Sequence, residues 1–411
     1  MRANSPKTLL IAMCAAEVGS MLGIATFPSL QPELIELWSL SNTEVGWVNG
    51  IYFLAYLLAV PVLVSLTDRV PPRRIYAISM FIAGLSGFGF AWIADGFWTS
   101  MIFRAMGGIG LAGSYMPGLK LLSDHLEQMA PGEDTSRAVA FYTSSFGIGS
   151  ALSYFFAGEI ASAFGWQTAF LVAGVGPMIG LIIAYVTLPK TDPRPNAPET
   201  HLLDFRPVLR CKEAMGFVLA YTAHNFELFA MRAWIVSYLV FAAALRPSGE
   251  SFIAATTIAA AVNLLGMPAS VYGNEVARRI GRVRTIIIIM TASGAMGLCI
   301  GFSAHLPFWV VIAAFMVYGL TITADSSAIT AGVVQAAPTG YKGATMAVHS
   351  SIGFMGSFLG PLAFGAMLDA TGYGTRASAG EVMPWVAAFS MTALVLVLGG
   401  SAVALLSGKR G

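Results

Sequence analysis

Residues 143–166 read TSSFGIGSALSYFFAGEIASAFGW and residues 350–373 read SSIGFMGSFLGPLAFGAMLDATGY. Laid over one another, the two stretches are copies. Thr143-Ser144 meets Ser350-Ser351, Gly149-Ser150 meets Gly356-Ser357, and Leu152 meets Leu359. Gly158 then meets Gly365, Ala163 meets Ala370, and Gly165-Trp166 meets Gly372-Tyr373. The register holds upstream as well, where Gln128, Ala130 and Pro131 fall on Gln335, Ala337 and Pro338. The offset is about half of the 411 residues, so the chain reads as two like halves in tandem.

Composition places those halves in a membrane. Hydrophobic residues make up 56% of the chain and charged residues 11%, against about 25% charged in a soluble domain. So few charges cannot cover a soluble surface. Crossing the hydrocarbon core takes roughly 20 apolar residues, and twelve segments qualify: 9–27, 45–66, 75–93, 97–122, 138–164, 168–188, 214–245, 252–272, 285–304, 307–334, 344–368 and 382–406. Strand-period alternation is absent, which excludes a barrel. The expected fold is an all-α membrane protein of twelve transmembrane helices in two pseudo-symmetric six-helix bundles, 1–188 and 214–411. The proline- and charge-rich stretch 189–213 reads as a cytoplasmic linker. A short interfacial helix is expected over PELIELW, after the first segment.

Charge placement sets the topology. With the N-terminus inside, Arg246 and Arg376 fall outside, Arg104 and Arg232 lie within segments, and the other 19 of the 23 Lys and Arg residues fall inside or at the inner helix ends. Positive charge gathers on the cytoplasmic side, so both termini are expected there, in a cell membrane of the bacterial inner type. The first apolar stretch is too long for a cleavable signal peptide. Three scattered cysteines imply neither a disulfide framework nor a metal site.

A membrane chain of two like halves is the usual scaffold of a secondary transporter, with its substrate site where the halves meet. The enzyme alternative finds no Gly-x-Ser-x-Gly elbow, His-Glu-x-x-His pattern or nucleotide loop. The expectation is therefore no enzymatic activity, no cofactor, and a proton gradient as energy source. The expected partners are a small-molecule substrate and the lipid bilayer, without nucleic acid, and the chain is expected to work as a monomer.

Between segments 2 and 3 stands Leu66-Thr67-Asp68-Arg69-Val70-Pro71-Pro72-Arg73-Arg74, an acid–base pair followed by a turn and two basic residues. It resembles the signature loop of the major facilitator superfamily, with Val64 and Pro71 in place of the usual glycines. Between segments 8 and 9, Gly273–Arg284 keeps the turn glycine and basic residues but carries Arg278 where the acid belongs. Arg104-Ala105-Met106-Gly107-Gly108-Ile109-Gly110 is similar to the family's fourth-helix motif, and Gly165-Trp166-Gln167-Thr168-Ala169-Phe170 to its entry into the sixth helix. The resemblance implies alternating access around a central cavity lined by segments 1, 4, 7 and 10. It also implies a conformational latch at Asp68, Arg69, Arg73 and Arg74.

The intramembrane ionisable residues agree with that lining. A charge in hydrocarbon costs roughly 2.5–3.5 kcal/mol on insertion scales and so faces water or a partner. Glu17 lies in segment 1, Arg104 in segment 4, His224, Glu227 and Arg232 in segment 7, and Asp325 in segment 10. The exception is His349 in segment 11, read as a packing residue. Glu17, His224, Glu227 and Asp325 are the candidate proton-coupling groups. Glu17 is expected near Arg104, and His224 and Glu227 share a helix face. Arg104 and Arg232 are candidates to hold an anionic substrate, or Arg232 to pair with Asp325. Asn49 and Asn263 could add hydrogen bonds, and Tyr115, Trp234 and Tyr238 could line an amphipathic pocket. Asp325 meets Gly118 across the repeat, so its charge belongs to the second half alone.

Two transport modes remain. Proton-coupled export of an amphipathic or weakly anionic compound suits a cavity with few charges and many aromatics. Proton-linked uptake or exchange of a small anion suits Arg104 and Arg232. The family's glycine–proline antiporter motif is missing from segment 5, where Gly149-Ser150 and Ser153-Tyr154 stand. A non-transporting sensor on the same scaffold is the reading of a different class.

Overall fold

The computed structural model of the protein describes residues 5–67, 69–132, 134–188, 205–246, 253–374 and 380–407. These residues form helices and no strand: α1 (Pro6–Ser20), α2 (Thr26–Trp38), α3 (Asn42–Leu66), α4 (Pro72–Ile93), α5 (Phe97–Met129), α6 (Ser136–Phe164), α7 (Trp166–Thr187), α8 (Arg206–Arg210), α9 (Lys212–Ala244), α10 (Ala255–Ile280), α11 (Arg282–Phe302), α12 (Phe308–Ala324), α13 (Ser326–Ala336), α14 (Lys342–Ala370) and α15 (Met383–Ser407). α1 with α2 makes one span, α12 with α13 another, and α8 is a single short turn. Among the described residues ten spans have the length and hydropathy to cross a membrane. The remaining two long helices, α5 and α6, are more polar; α5 ends in KLLSDHLEQM.

Two expected elements take a different form. PELIELW is no separate interfacial helix. It continues the first span as α2, set off from α1 by one 3-10 turn at Met21–Gly23. The tenth segment is broken at Asp325, between α12 and α13. Its polar run competes with the helix for hydrogen bonds, as hydroxyl and carboxyl side chains do. Thr323 Oγ1 donates within reach of the Gly319 carbonyl at 2.9 Å and the Gly266 carbonyl at 3.0 Å.

The helices gather into two compact units. Unit 1 holds Met1–Leu30 and Ile51–Pro198; unit 2 holds Gln31–Gly50 and Glu199–Gly411. In unit 1, α4 packs along α5 and α7, and α1 along α6 and α7. In unit 2, α9 is the central helix, packed on α14 and α15, while α10 lies on α12. Apolar burial alone gains little between helices already in lipid, so small residues that let backbones approach carry the packing. At Gly273 of α10 an added methyl would strike the Ala324 carbonyl beside the break, and Ser270 meets Ser327 at 2.6 Å.

Gly273→Ala is therefore expected to cost about 1–3 kcal/mol by overpacking. Gly343→Ala, whose methyl would meet open space, is the control. Thermal melts that place the two variants together would contradict this account of the α10–α12 contact.

Candidate functional site

In unit 1, α1 carries Glu17 with 0% of its surface exposed. Its Oε2 accepts from Tyr142 Oη at 3.0 Å and Ser20 Oγ at 3.3 Å, while Oε1 has no hydrogen-bond partner among the described residues. Tyr142 comes from α6, stacked on Tyr115 of α5 with ring centroids 6.0 Å apart. Its hydroxyl fits because position 118 is glycine; a methyl there would strike Tyr142 Oη.

Arg104 takes other partners than the expected glutamate. Nη1 donates to the Gly23 carbonyl at 3.1 Å and Nη2 to the Ile24 carbonyl at 3.3 Å. Its guanidinium lies 4.4 Å from the centroid of Tyr52. The turn between α1 and α2 leaves those carbonyls without full helical partners, and the arginine meets them. Beside it, Ser20, Tyr52, Phe90, Gly107 and Phe170 enclose a cavity of about 20 Å³, room for one water.

In unit 2, the residues expected to share one helix face go to different neighbours. His224 Nδ1 lies 2.8 Å from Asp325 Oδ1 at the helix break, a close approach off the hydrogen-bonding direction. Glu227 Oε1 accepts from Ser293 Oγ of α11 at 2.8 Å. His349 of α14 stacks on Tyr221, centroids 3.9 Å apart, and the same tyrosine faces His224 at 5.9 Å. His224, Glu227, Asp325 and His349 are all buried. Arg232 lies over Phe229 at 5.3 Å and is partly exposed, although Met231 and Ala233–Leu239 around it are buried.

Trp234 and Tyr238 are placed inside unit 2. Trp234 Nε1 donates to the Pro361 carbonyl at 3.1 Å, and Tyr238 Oη donates to the Ile300 carbonyl. Both pack with Trp385 in one aromatic cluster. Asn263 Nδ2 donates to the Ala259 carbonyl one turn back, at 2.9 Å. Asn49 Nδ2 donates to Gln31 Oε1 at 2.9 Å, and Gln31 Nε2 to Ser237 Oγ at 2.7 Å. Asp68, Arg376 and residues 189–204 of the linker lie outside the described residues. Arg69 and Arg74 are exposed and Arg73 partly so. Arg278 and Arg279 pair with Glu275 at 3.2 and 3.3 Å on an exposed surface, where such pairs contribute little.

Sequence reasoning passed over three groups. Tyr142 and Ser293 hold the buried carboxylates of Glu17 and Glu227. The third, Asp369 near the end of α14, accepts from Asn42 N (3.1 Å), Asn42 Nδ2 (2.8 Å), Thr43 N (2.7 Å) and Thr43 Oγ1 (2.5 Å). Ser41 and Glu44 add a capping box, with Ser41 N donating to Glu44 Oε2 at 2.8 Å and Glu44 N to Ser41 Oγ at 3.2 Å. The first amides of α3 are thus all met. Ser41-Asn42-Thr43-Glu44 was a readable signal for the box; nothing local pointed to Asp369.

The profile of the Major Facilitator Superfamily matches residues 10–361. The niacin transporter NiaP of Acinetobacter baylyi is 27% identical over 175 residues, 42% of this chain and 37% of that protein. The 4-hydroxybenzoate transporter PcaK of the same organism is 26% identical over 166 residues, 39% of this chain and 34% of that one. A probable sphingolipid transporter, spinster homolog 2 of Arabidopsis thaliana, is 25% identical over 216 residues, 48% and 44% of the two chains. Each match spans less than half the relative's length. Among solved structures, a bacterial homolog of the human lysosomal transporter Spinster superposes with a TM-score of 0.79 at 15% identity, covering 99% of this chain and 98% of that one. The nucleoside transporter NupG does so with 0.77 at 16%, covering 99% and 100%.

Proposed function

The chain belongs to the major facilitator superfamily, and on that premise we propose that it is a proton-coupled transporter of a small organic anion, specifically an aromatic monocarboxylate. The observation that carries the substrate class is Arg232. Arg232 is partly exposed and its guanidinium carbon lies 5.3 Å from the Phe229 ring centroid, while the Phe229 and Phe354 centroids are 6.3 Å apart. A guanidinium can hold a carboxylate with two parallel hydrogen bonds, and the partly exposed Phe354 offers apolar surface to an aromatic ring. The similarity to transporters named for niacin and 4-hydroxybenzoate supports the same class. Glu17, His224, Glu227 and Asp325 are the proton-handling groups in this reading. The charge distribution supports cytoplasmic termini in an inner membrane.

Uptake of labelled benzoate, nicotinate and 4-hydroxybenzoate into proteoliposomes under an imposed proton gradient tests the proposal. Arg232→Lys, which keeps the charge but loses the paired geometry, is expected to weaken binding of the transported acid. One charged hydrogen bond, about 1.5–3 kcal/mol, corresponds to roughly tenfold or more in affinity. The melting temperature should stay near wild type. Unchanged affinity would remove Arg232 from the site. The second reading, export of an amphipathic compound, is favoured by the similarity to the spinster homolog. Gradient-driven movement of a sphingosine-type amphiphile, with no movement of the three acids, would establish it instead.

A further inference from the structure

The register that sets Gly149 on Gly356 also sets Glu17 on His224, Tyr142 on His349 and Gly118 on Asp325. Both sets of three are gathered within their own units. In unit 1 the carboxylate stands at the α1 position, the phenol of α6 reaches it at 3.0 Å, and Gly118 of α5 leaves the phenol its space. In unit 2 the carboxylate stands at the position of that glycine, 2.8 Å from the imidazole that replaces Glu17. His349 replaces the phenol and lies against Tyr221, which also faces His224. The acid has changed helices between the halves, yet each set holds one carboxylate.

We infer that the repeat carries a proton-binding centre in each half, Glu17 with Tyr142 in one and Asp325 with His224 and His349 in the other, and that each takes one proton independently. The charge count is the physical reason. Glu17 with neutral Tyr142 bears one negative charge and becomes neutral with one proton. Asp325 with two neutral imidazoles bears one negative charge, and one proton makes a neutral set, the imidazolium beside the carboxylate. Buried net charge is costly in a membrane, so one proton is what each centre needs. Glu227 falls on Ser20 in the same register and stands outside the related sets.

The described groups facing each centre come from its own unit. Glu17 is faced by Cys14 on its own helix, Tyr52 of α3, Tyr76 of α4 and Tyr142 of α6. The second centre is faced by Tyr221 and Glu227 of α9, with Arg232 acting on Tyr221. The inference rests on the proton-coupled reading for its use in transport, but the centres can be counted without transport.

The test is an indicator-dye titration of the full chain in nanodiscs, with no substrate, from alkaline to mildly acid pH. Glu17→Gln is expected to take up one proton fewer per molecule than wild type. Asp325→Asn should also take up one fewer, because an imidazolium without its carboxylate would be a lone charge in hydrocarbon. The double variant should take up two fewer. A double variant that loses no more than a single one, or a single variant that loses none, overturns the proposal. If a carboxylate variant fails to fold, Tyr142→Phe and His349→Gln read the same centres. Each should move the titration midpoint of its own centre and leave that of the other centre; a change at both centres, or at neither, also overturns it. A full proton count with uptake indifferent to the gradient would sink the coupling and leave both centres standing. A missing proton with gradient-driven uptake intact would do the reverse.

Discussion

Glu17→Gln abolishes accumulation against a proton gradient and leaves exchange at equal pH running: this is the expected result in proteoliposomes given benzoate, nicotinate or 4-hydroxybenzoate. Glutamine has the shape of glutamate and keeps an oxygen for Tyr142 and Ser20, which donate at 3.0 and 3.3 Å. The packing of α1 against α6 and α7 therefore has no reason to change. What is lost is the capacity to alternate between a charged and a neutral side chain in a site with 0% exposure. The inside-to-outside ratio of label should fall to that of a gradient-free control, while counterflow of preloaded cold acid proceeds. A glutamine variant that still concentrates the acid would place coupling elsewhere, with Asp325 and Glu227 the remaining buried carboxylates among the described residues.

Asp369→Ala should produce the largest loss of stability among single surface-end substitutions. The carboxylate accepts from two backbone amides and two side chains at the start of α3. Removing it strips the helix of a negative charge at its positive end and leaves two amides without acceptors. Loss of a cap costs about 1 kcal/mol and loss of a charged hydrogen bond about 1.5–3 kcal/mol, so about 2 kcal/mol or more is expected. Asp369→Asn, which keeps one acceptor oxygen, should fall between. Thermal melts order the three proteins, and faster hydrogen exchange of the Asn42 and Thr43 amides locates the damage. An alanine variant with wild-type melting and exchange would show that water serves α3 as well as Asp369 does.

The fold was legible because its signals are long. A half-length repeat and twelve apolar stretches each draw on many residues, and local errors leave them intact. The buried Glu17, Arg104, His224, Glu227, Asp325 and His349 were legible one by one for the same reason that they are costly, whereas buried His125 was passed over. Their partners were not. Glu17 meets Tyr142 and His224 meets Asp325 across helices far apart in sequence, and helical periodicity tells only which residues share a face of one helix. The rotation of each helix about its axis, and the turn that separates α1 from α2, decide the rest. Trp234 and Tyr238 show the cost of that gap: expected to line a pocket, they are buried with Trp385 and Phe364. Arg104, expected near Glu17, meets carbonyls that only the break in the first span exposes.

Unit 2 is not a continuous piece of chain. It includes Gln31–Gly50, made long before Glu199–Gly411, and that early segment supplies Gln31 for Ser237, the amides for Asp369 and the glycines that lie on Phe358 and Pro361. A second half synthesised alone would lack all of these and would enter the membrane with Asp369 and Ser237 uncovered. Made in one chain from the N-terminus, it emerges after the missing piece already exists. The order of synthesis thus favours assembly. A gene split at the linker should yield a second half that survives only when the first is made beside it, and a circular permutant that begins near residue 214 would have to fold its second half before residues 31–50 had been made.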